Sequence, residues 1–207
     1  MSVTRHASEE YVFGNSIHEA ERLKMQAKFL QQWTEQFLLS AGLAPGMRAL
    51  DLGCGMGDVS LLAARLVGPS GRVTGIDRDR IVIEKARERI REEGSDAQIE
   101  LLHTDLLSFH ADQSFDAVVG RYVLLFQPDP LAATTHAAKQ VRPEGIIVFH
   151  EMDMANRIQF YPGRTLFEET YALIAETYRR SGYWLDLGLR LTQLFLDAGL
   201  RTLPRFD

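Results

Sequence analysis

From residue 47 onward, short apolar runs alternate with longer stretches in which apolar positions recur every three or four residues. The short runs are 47–52, 72–77, 98–103, 115–120 and 145–151. They are rich in Val, Ile and Leu with little polar alternation, as strands of a parallel sheet covered on both faces read. Between them, Val59, Leu62, Ala63 and Leu66 lay one apolar stripe along a helix that Gly68-Pro69 ends, and residues 79–93 and 129–141 fit two more helices. Ahead of the first strand, Ala20, Leu23, Ala27, Leu30, Thr34 and Phe37 repeat at helical intervals behind a capping-box spacing from Ser16 to Glu19. This predicts a long amphipathic helix, or two in series, over 16–41, ended by Gly42 and Pro45-Gly46. After the fifth strand, Thr165 to Arg180 reads as a helix with Leu166, Thr170, Leu173 or Ile174, and Thr177 inward, and Leu187 to Ala198 as another. Leu200 to Phe206 reads as the start of a sixth strand. Alternating strands and helices predict an α/β fold, a doubly wound sheet with helices on both faces.

Composition narrows the partners. At 207 residues and 45% hydrophobic, the chain can bury one sizeable core. A net charge of −5 argues against nucleic acid, whose binding rests on a basic field. The dense charge run from Arg78 to Glu93 mixes signs at helical spacing and reads as a solvated helix face. No apolar run approaches membrane-spanning length and the N-terminus has no signal-peptide core, so a soluble, cytoplasmic protein with no membrane partner is expected. The single cysteine, Cys54, rules out an intrachain disulfide and suits a reducing compartment. It reads as a small residue tolerated between glycines, since nothing pairs it with a base. His103, His110 and His136 lack metal-ligand spacing, so no metal is expected.

Candidate chemistry concentrates in residues 49–57, Ala-Leu-Asp-Leu-Gly-Cys-Gly-Met-Gly, which stand directly behind a strand and ahead of a helix. Glycines at alternate positions permit a sharp turn and remove the Cβ atoms that would hold a ligand off the main chain. A dinucleotide fingerprint would space them G-x-G-x-x-G to seat a pyrophosphate on the helix N-terminus. Here the third glycine comes one residue early, and Asp51 would repel a pyrophosphate but attract an ammonium group.

Asp51, Gly53, Gly55 and Gly57 resemble motif I of the class I S-adenosylmethionine-dependent methyltransferases, D/E-x-G-x-G-x-G. Further segments follow in the family's order from about Pro45 to Asp153. Asp77 ends the second strand, where an acid can accept hydrogen bonds from ribose hydroxyls. Asp105-Leu106 resembles the adenine-binding segment, Phe115 to Gly120 the fourth strand, and Val141 to Phe149, with Arg-Pro-Glu-Gly inside, the turn into the fifth. The resemblance implies a Rossmann-like sheet, an N-terminal helical lid at 1–44 and a cofactor-binding methyltransferase domain at 45–207. It also implies S-adenosylmethionine as cofactor, S-adenosylhomocysteine as product, and cofactor contacts from Asp51, Gly53, Gly55, Gly57, Asp77, Arg78, Asp105, Leu106 and Arg121.

The acceptor is less legible. Ligands of open α/β sheets bind beyond the carboxyl ends of the strands, which points to Arg121, Tyr122, His150, Glu151 and Asp153. Strand alternation sends His150 and Glu151 to opposite faces, and Glu151 is favoured for the acceptor. Tyr11, Phe13 and His18, near or on the lid, are further candidates to face substrate. No Asn/Asp-Pro-Pro-Tyr/Phe tetrapeptide follows strand four, and with the acidic charge a small-molecule acceptor is expected. Methyl transfer from a sulfonium needs alignment more than acid–base groups, so no catalytic residue is assigned. A nicotinamide-dependent oxidoreductase and a non-catalytic binding or scaffold protein remain as alternatives. The family's sheet ends in an antiparallel seventh strand between strands five and six, and no segment of this sequence reads as that strand. An apolar edge is therefore expected at Ile146 to His150, from a shortened C-terminus or covered by a second copy in a homodimer.

Overall fold

The computed structural model describes residues 17–96, 98–156 and 161–202. Five parallel strands form one sheet in the order β3-β2-β1-β4-β5: β1 is Arg48–Leu52, β2 Arg72–Asp77, β3 Ile99–His103, β4 Phe115–Arg121 and β5 Val141–His150. The direction of winding reverses between β1 and β4. Alternate residues of each strand point to opposite faces, so Ala49, Val73 and Ala117 join one core cluster while Leu50, Ile76 and Val118 join the other.

Helices α1 (Ile17–Ser40), α2 (Asp58–Val67) and α3 (Arg80–Glu92) cover the first face, and α4 (Pro130–Gln140), α5 (Thr165–Arg180) and α6 (Leu187–Asp197) the second. Their starts are chemically marked. Asp79 accepts hydrogen bonds from the amides of Ile81 and Val82, and Asp129 from that of Ala132, ahead of Pro130 in the first turn of α4. The stripe expected on α2 is present and wider than expected, because Leu61, Ala64 and Val67 are buried as well. On α1, Thr34 and Leu38 are buried while Phe37 is half exposed, so the inward line is one residue off the expected stripe. Ser16 lies outside the described residues.

Three expectations need correction. On α5, Leu166 and Leu173 face solvent, and the inward contacts come from Ile174 and Tyr178. Strand β5 begins earlier than expected: Val141 pairs with Phe115, residues 142–145 bulge with Glu144 at φ 61°, and pairing resumes with Ile146 opposite Ala117. Residues 200–202 form no strand, and 203–207 lie outside the described residues. Among the described residues β5 pairs with β4 alone, and Ile146 to Val148 are half-buried along that edge. No described helix is long and apolar enough to cross a membrane.

Candidate functional site

The carboxyl ends of β1, β2 and β4 converge where the winding reverses, the place at which open α/β sheets bind ligands. The chain leaves β1 through a turn in which Gly53, Gly55 and Gly57 all have positive φ, at 61°, 53° and 81°. A side chain on Gly55 would meet nothing within 4 Å, so the turn is open above it. A side chain on Gly53 would instead place its Cβ 2.6 Å from Val123 Cγ2, because Val123 packs directly on that glycine.

Two aspartates hold this turn. Asp77 Oδ2 accepts the Gly55 amide at 3.0 Å and Oδ1 accepts the Asp79 amide at 2.9 Å. Each oxygen keeps a second lone pair, so both can still accept from a ligand hydroxyl. Burial raises the Asp77 pKa from its ordinary value, against the lowering effect of these amides. Asp51 is 1% exposed; its Oδ2 accepts from the Ser60 hydroxyl at 2.6 Å, and its Oδ1 is buried with no partner in the protein. Burial is the main reason that its pKa rises to about 7, with the Ser60 hydrogen bond opposing. A buried carboxylate with one oxygen unsatisfied is the kind of group that awaits a donor.

The remaining expected cofactor residues line the same end of the sheet. Asp105 caps the short turn Leu106–Ser108, accepting from the Leu107 amide at 2.8 Å, while the Leu106 side chain is buried. Arg78 is exposed beside Asp77, and its carbonyl accepts a hydrogen bond from His103 Nε2 at 3.1 Å. Arg121 ends β4 with its Nη1 3.4 Å from Thr34 Oγ1. Cys54 is buried in the core cluster beneath the turn, and burial pushes its thiol pKa well up.

The two residues at the end of β5 divide as strand alternation demands. His150 turns toward α1, with Nδ1 3.2 Å from Thr34 Oγ1, the Phe37 ring edge-on at 5.0 Å and Tyr122 at 5.4 Å. Thr34 has one hydroxyl hydrogen and gives it to the Leu30 carbonyl, so His150 Nδ1 carries the proton and Nε2 the lone pair. Burial, reinforced by the Arg121 charge, lowers the His150 pKa to about 4 and keeps the ring neutral. Glu151 turns the other way. Its Oε1 accepts the amides of Val123 at 2.9 Å and Leu124 at 2.7 Å, and its Oε2 is buried without a partner. The carboxylate favoured for the acceptor therefore clasps the turn after β4, which starts at Tyr122 with φ 55°. The structure brings Arg121, Tyr122 and His150 together but not Glu151. Tyr11 and Phe13 lie outside the described residues, as does the side chain of His18.

A family model described as a methyltransferase domain matches residues 43–184, more than half the chain. The chain belongs to the class I S-adenosylmethionine-dependent methyltransferases. It is 31% identical over 165 residues to a demethylmenaquinone methyltransferase of Staphylococcus aureus, covering 78% of this chain and 64% of that protein. Thus the chain spans just under two thirds of the relative's length. Among solved structures, a SAM dependent methyltransferase from Aquifex aeolicus superimposes with TM-score 0.60 at 21% identity, covering 81% of this chain and 79% of that one. The [4+2]-cyclase SpnF gives TM-score 0.60 at 22% identity over 95% of this chain and 64% of its own. Such likenesses establish the methyltransferase fold alone, and a fold shared with a protein named for a cyclisation does not fix the reaction.

Proposed function

We propose that the chain binds S-adenosylmethionine on the turn after β1 and transfers its methyl group to a small-molecule acceptor in the cytoplasm. The observation that carries this reading is the buried, unpartnered Asp51 Oδ1 beside a glycine turn open above Gly55. That pair suits an amino-acid ammonium group: the carboxylate supplies the counter-charge, and the bare backbone permits close approach. Asp77, with spare lone pairs on both oxygens, would receive the ribose hydroxyls. Asp105, Leu106 and Arg78 would flank the adenosine end. When bound, the cofactor supplies a methyl group on a positively charged sulfur, an electrophile with a good leaving group.

At the acceptor end, Arg121, Tyr122 and His150 would orient the nucleophile. A neutral His150 offers Nε2 as a hydrogen-bond acceptor, and the aromatic rings of Phe37 and Tyr122 beside it help to exclude water.

Calorimetric titration with S-adenosylhomocysteine and NAD tests the cofactor assignment. The first should bind and the second should not; the reverse would establish the nicotinamide reading. Asp77→Ala should weaken S-adenosylhomocysteine by about 1–3 kcal/mol through the lost hydrogen bonds, and an unchanged dissociation constant would refute the ribose assignment. S-adenosylhomocysteine formation in a screen of phenols, amines, carboxylates and demethylmenaquinone analogues separates enzyme from binding protein.

Asp51 gives the binding a characteristic pH dependence. Its free-state pKa is near 7 and an ammonium partner favours the ionised form, so the bound pKa is lower. Affinity should accordingly rise with pH up to about 7 and then level off, with proton release on binding below that point. Asp51→Asn should flatten the curve. A wild-type affinity independent of pH over this range would contradict the ammonium contact.

A further inference from the structure

Between α1 and the α2–α3 pair lies a recess of about 240 Å3 with Leu61 and Leu62 on its floor. Four cations line it, Lys28, Arg65, Arg89 and Arg121, against two carboxylates, Asp58 and Glu93. Arg89 occupies both acids, at 2.8 Å and 3.2 Å. Lys28 and Arg65 have no ion pair or hydrogen bond among the described residues, and the polar contact of Arg121 is to the uncharged Thr34 hydroxyl. A chain with net charge −5 thus gathers around one recess with an apolar floor two cations that have no ion pair among the described residues, together with Arg121, whose charge also acts on the buried Asp51. Concave, low-dielectric surroundings concentrate the field of such charges.

We propose that this recess binds a small organic anion, a carboxylate or phosphate attached to an apolar body. The apolar part would lie on Leu61 and Leu62, and the anionic group would meet Lys28, Arg65 and Arg121. Arg121, which lines the recess, also closes β4 beside Tyr122 and His150, so it joins the recess to the acceptor end of the site and the anion is the charged portion of the methyl acceptor. This last step rests on the methyltransferase reading; the anion site itself does not.

Phenyl phosphate is the probe, titrated by calorimetry at constant ionic strength into the wild type and the double variant Lys28→Gln, Arg65→Gln. Saturable binding to the wild type, weaker by about 5- to 10-fold in the variant, is expected for the loss of two partly exposed charge contacts. S-adenosylhomocysteine affinity should be the same in both proteins, which also shows that the variant folds. The site is refuted if phenyl phosphate does not saturate, binds both proteins alike, or is displaced by S-adenosylhomocysteine. A wild type that binds phenyl phosphate but not S-adenosylhomocysteine would overturn the cofactor reading and leave the anion site standing. Faster S-adenosylhomocysteine formation with carboxylated than with neutral phenols, lost in the double variant, assigns the anion to the acceptor. Binding without that preference overturns the acceptor assignment in favour of a free anion.

Discussion

Gly53→Ala should reduce S-adenosylhomocysteine binding below detection and lower global stability by about 2–5 kcal/mol. Two costs combine. At φ 61° any residue with a Cβ is strained by roughly 1–2 kcal/mol. The new methyl group also lies 2.6 Å from Val123 Cγ2, a contact that requires movement, and overpacking of this kind costs about 1–3 kcal/mol. Val123 has little room to yield. Its amide is bound by Glu151, and its other methyl fills the space above Gly120, where an added Cβ would meet Val123 Cγ1 at 2.8 Å. Adding Val123→Ala to the Gly53→Ala variant should relieve the clash but not the backbone strain, so the double variant loses less stability than the sum of the single ones. Denaturant unfolding of the four proteins measures this. Full stability in Gly53→Ala would show that the turn does not hold the conformation described.

The second large effect belongs to Glu151. Near pH 5, Glu151→Ala should destabilise by about 2–4 kcal/mol, because two amides that the side chain now satisfies would lose their partner. Glu151→Gln retains an oxygen acceptor and should cost less. The pH dependence has a definite sign. Burial raises the folded-state pKa of Glu151 from 4.5 to about 7, with the backbone hydrogen bonds opposing, so the folded protein holds this proton more tightly than the unfolded one. The contribution of this group to stability is therefore greatest below about pH 4.5, falls as pH rises toward 7, and is level above that. The fall attributable to this group is on the order of 3 kcal/mol. Since neither variant has the titrating group, the gap between wild type and Glu151→Ala should narrow toward pH 8. Identical stabilities of wild type and Glu151→Ala at both ends of the range would exclude the clasp.

The strands were legible because a parallel sheet covered on both faces demands near-continuous Val, Ile and Leu. The motif was legible because a turn with three positive-φ positions accepts little besides glycine. Less was written into α5, where Leu166, Leu173 and Ile174 offer competing stripes and only tertiary packing chooses Ile174 with Tyr178. The start of β5 was hidden by Pro143 and Gly145, which read as a turn before a strand rather than a bulge within one. The clasp made by Glu151 was hidden for a deeper reason. Its partners are main-chain amides 28 and 27 positions away, and an amide leaves no mark on residue type. The bond from His150 to Thr34, across 116 positions, was equally invisible. It decides which ring nitrogen bears the proton, and periodicity could indicate only that Thr34 lay on an inward stripe.

Strand order also governs how this molecule is assembled. Arg48–Leu52 is the middle of the sheet, yet its two neighbours arrive at different times: Val73 aligns with Ala49 from 24 positions downstream, Ala117 from 68. During synthesis the glycine turn emerges early, but its flank at Val123 and the clasp from Glu151 emerge only after most of the domain has been made. Closing such a long loop carries an entropic cost before any contact compensates for it, which places this chain among slow folders for its size. A nascent chain halted before residue 117 would leave Leu50 and Leu52 without their second flanking strand, a natural target for chaperones.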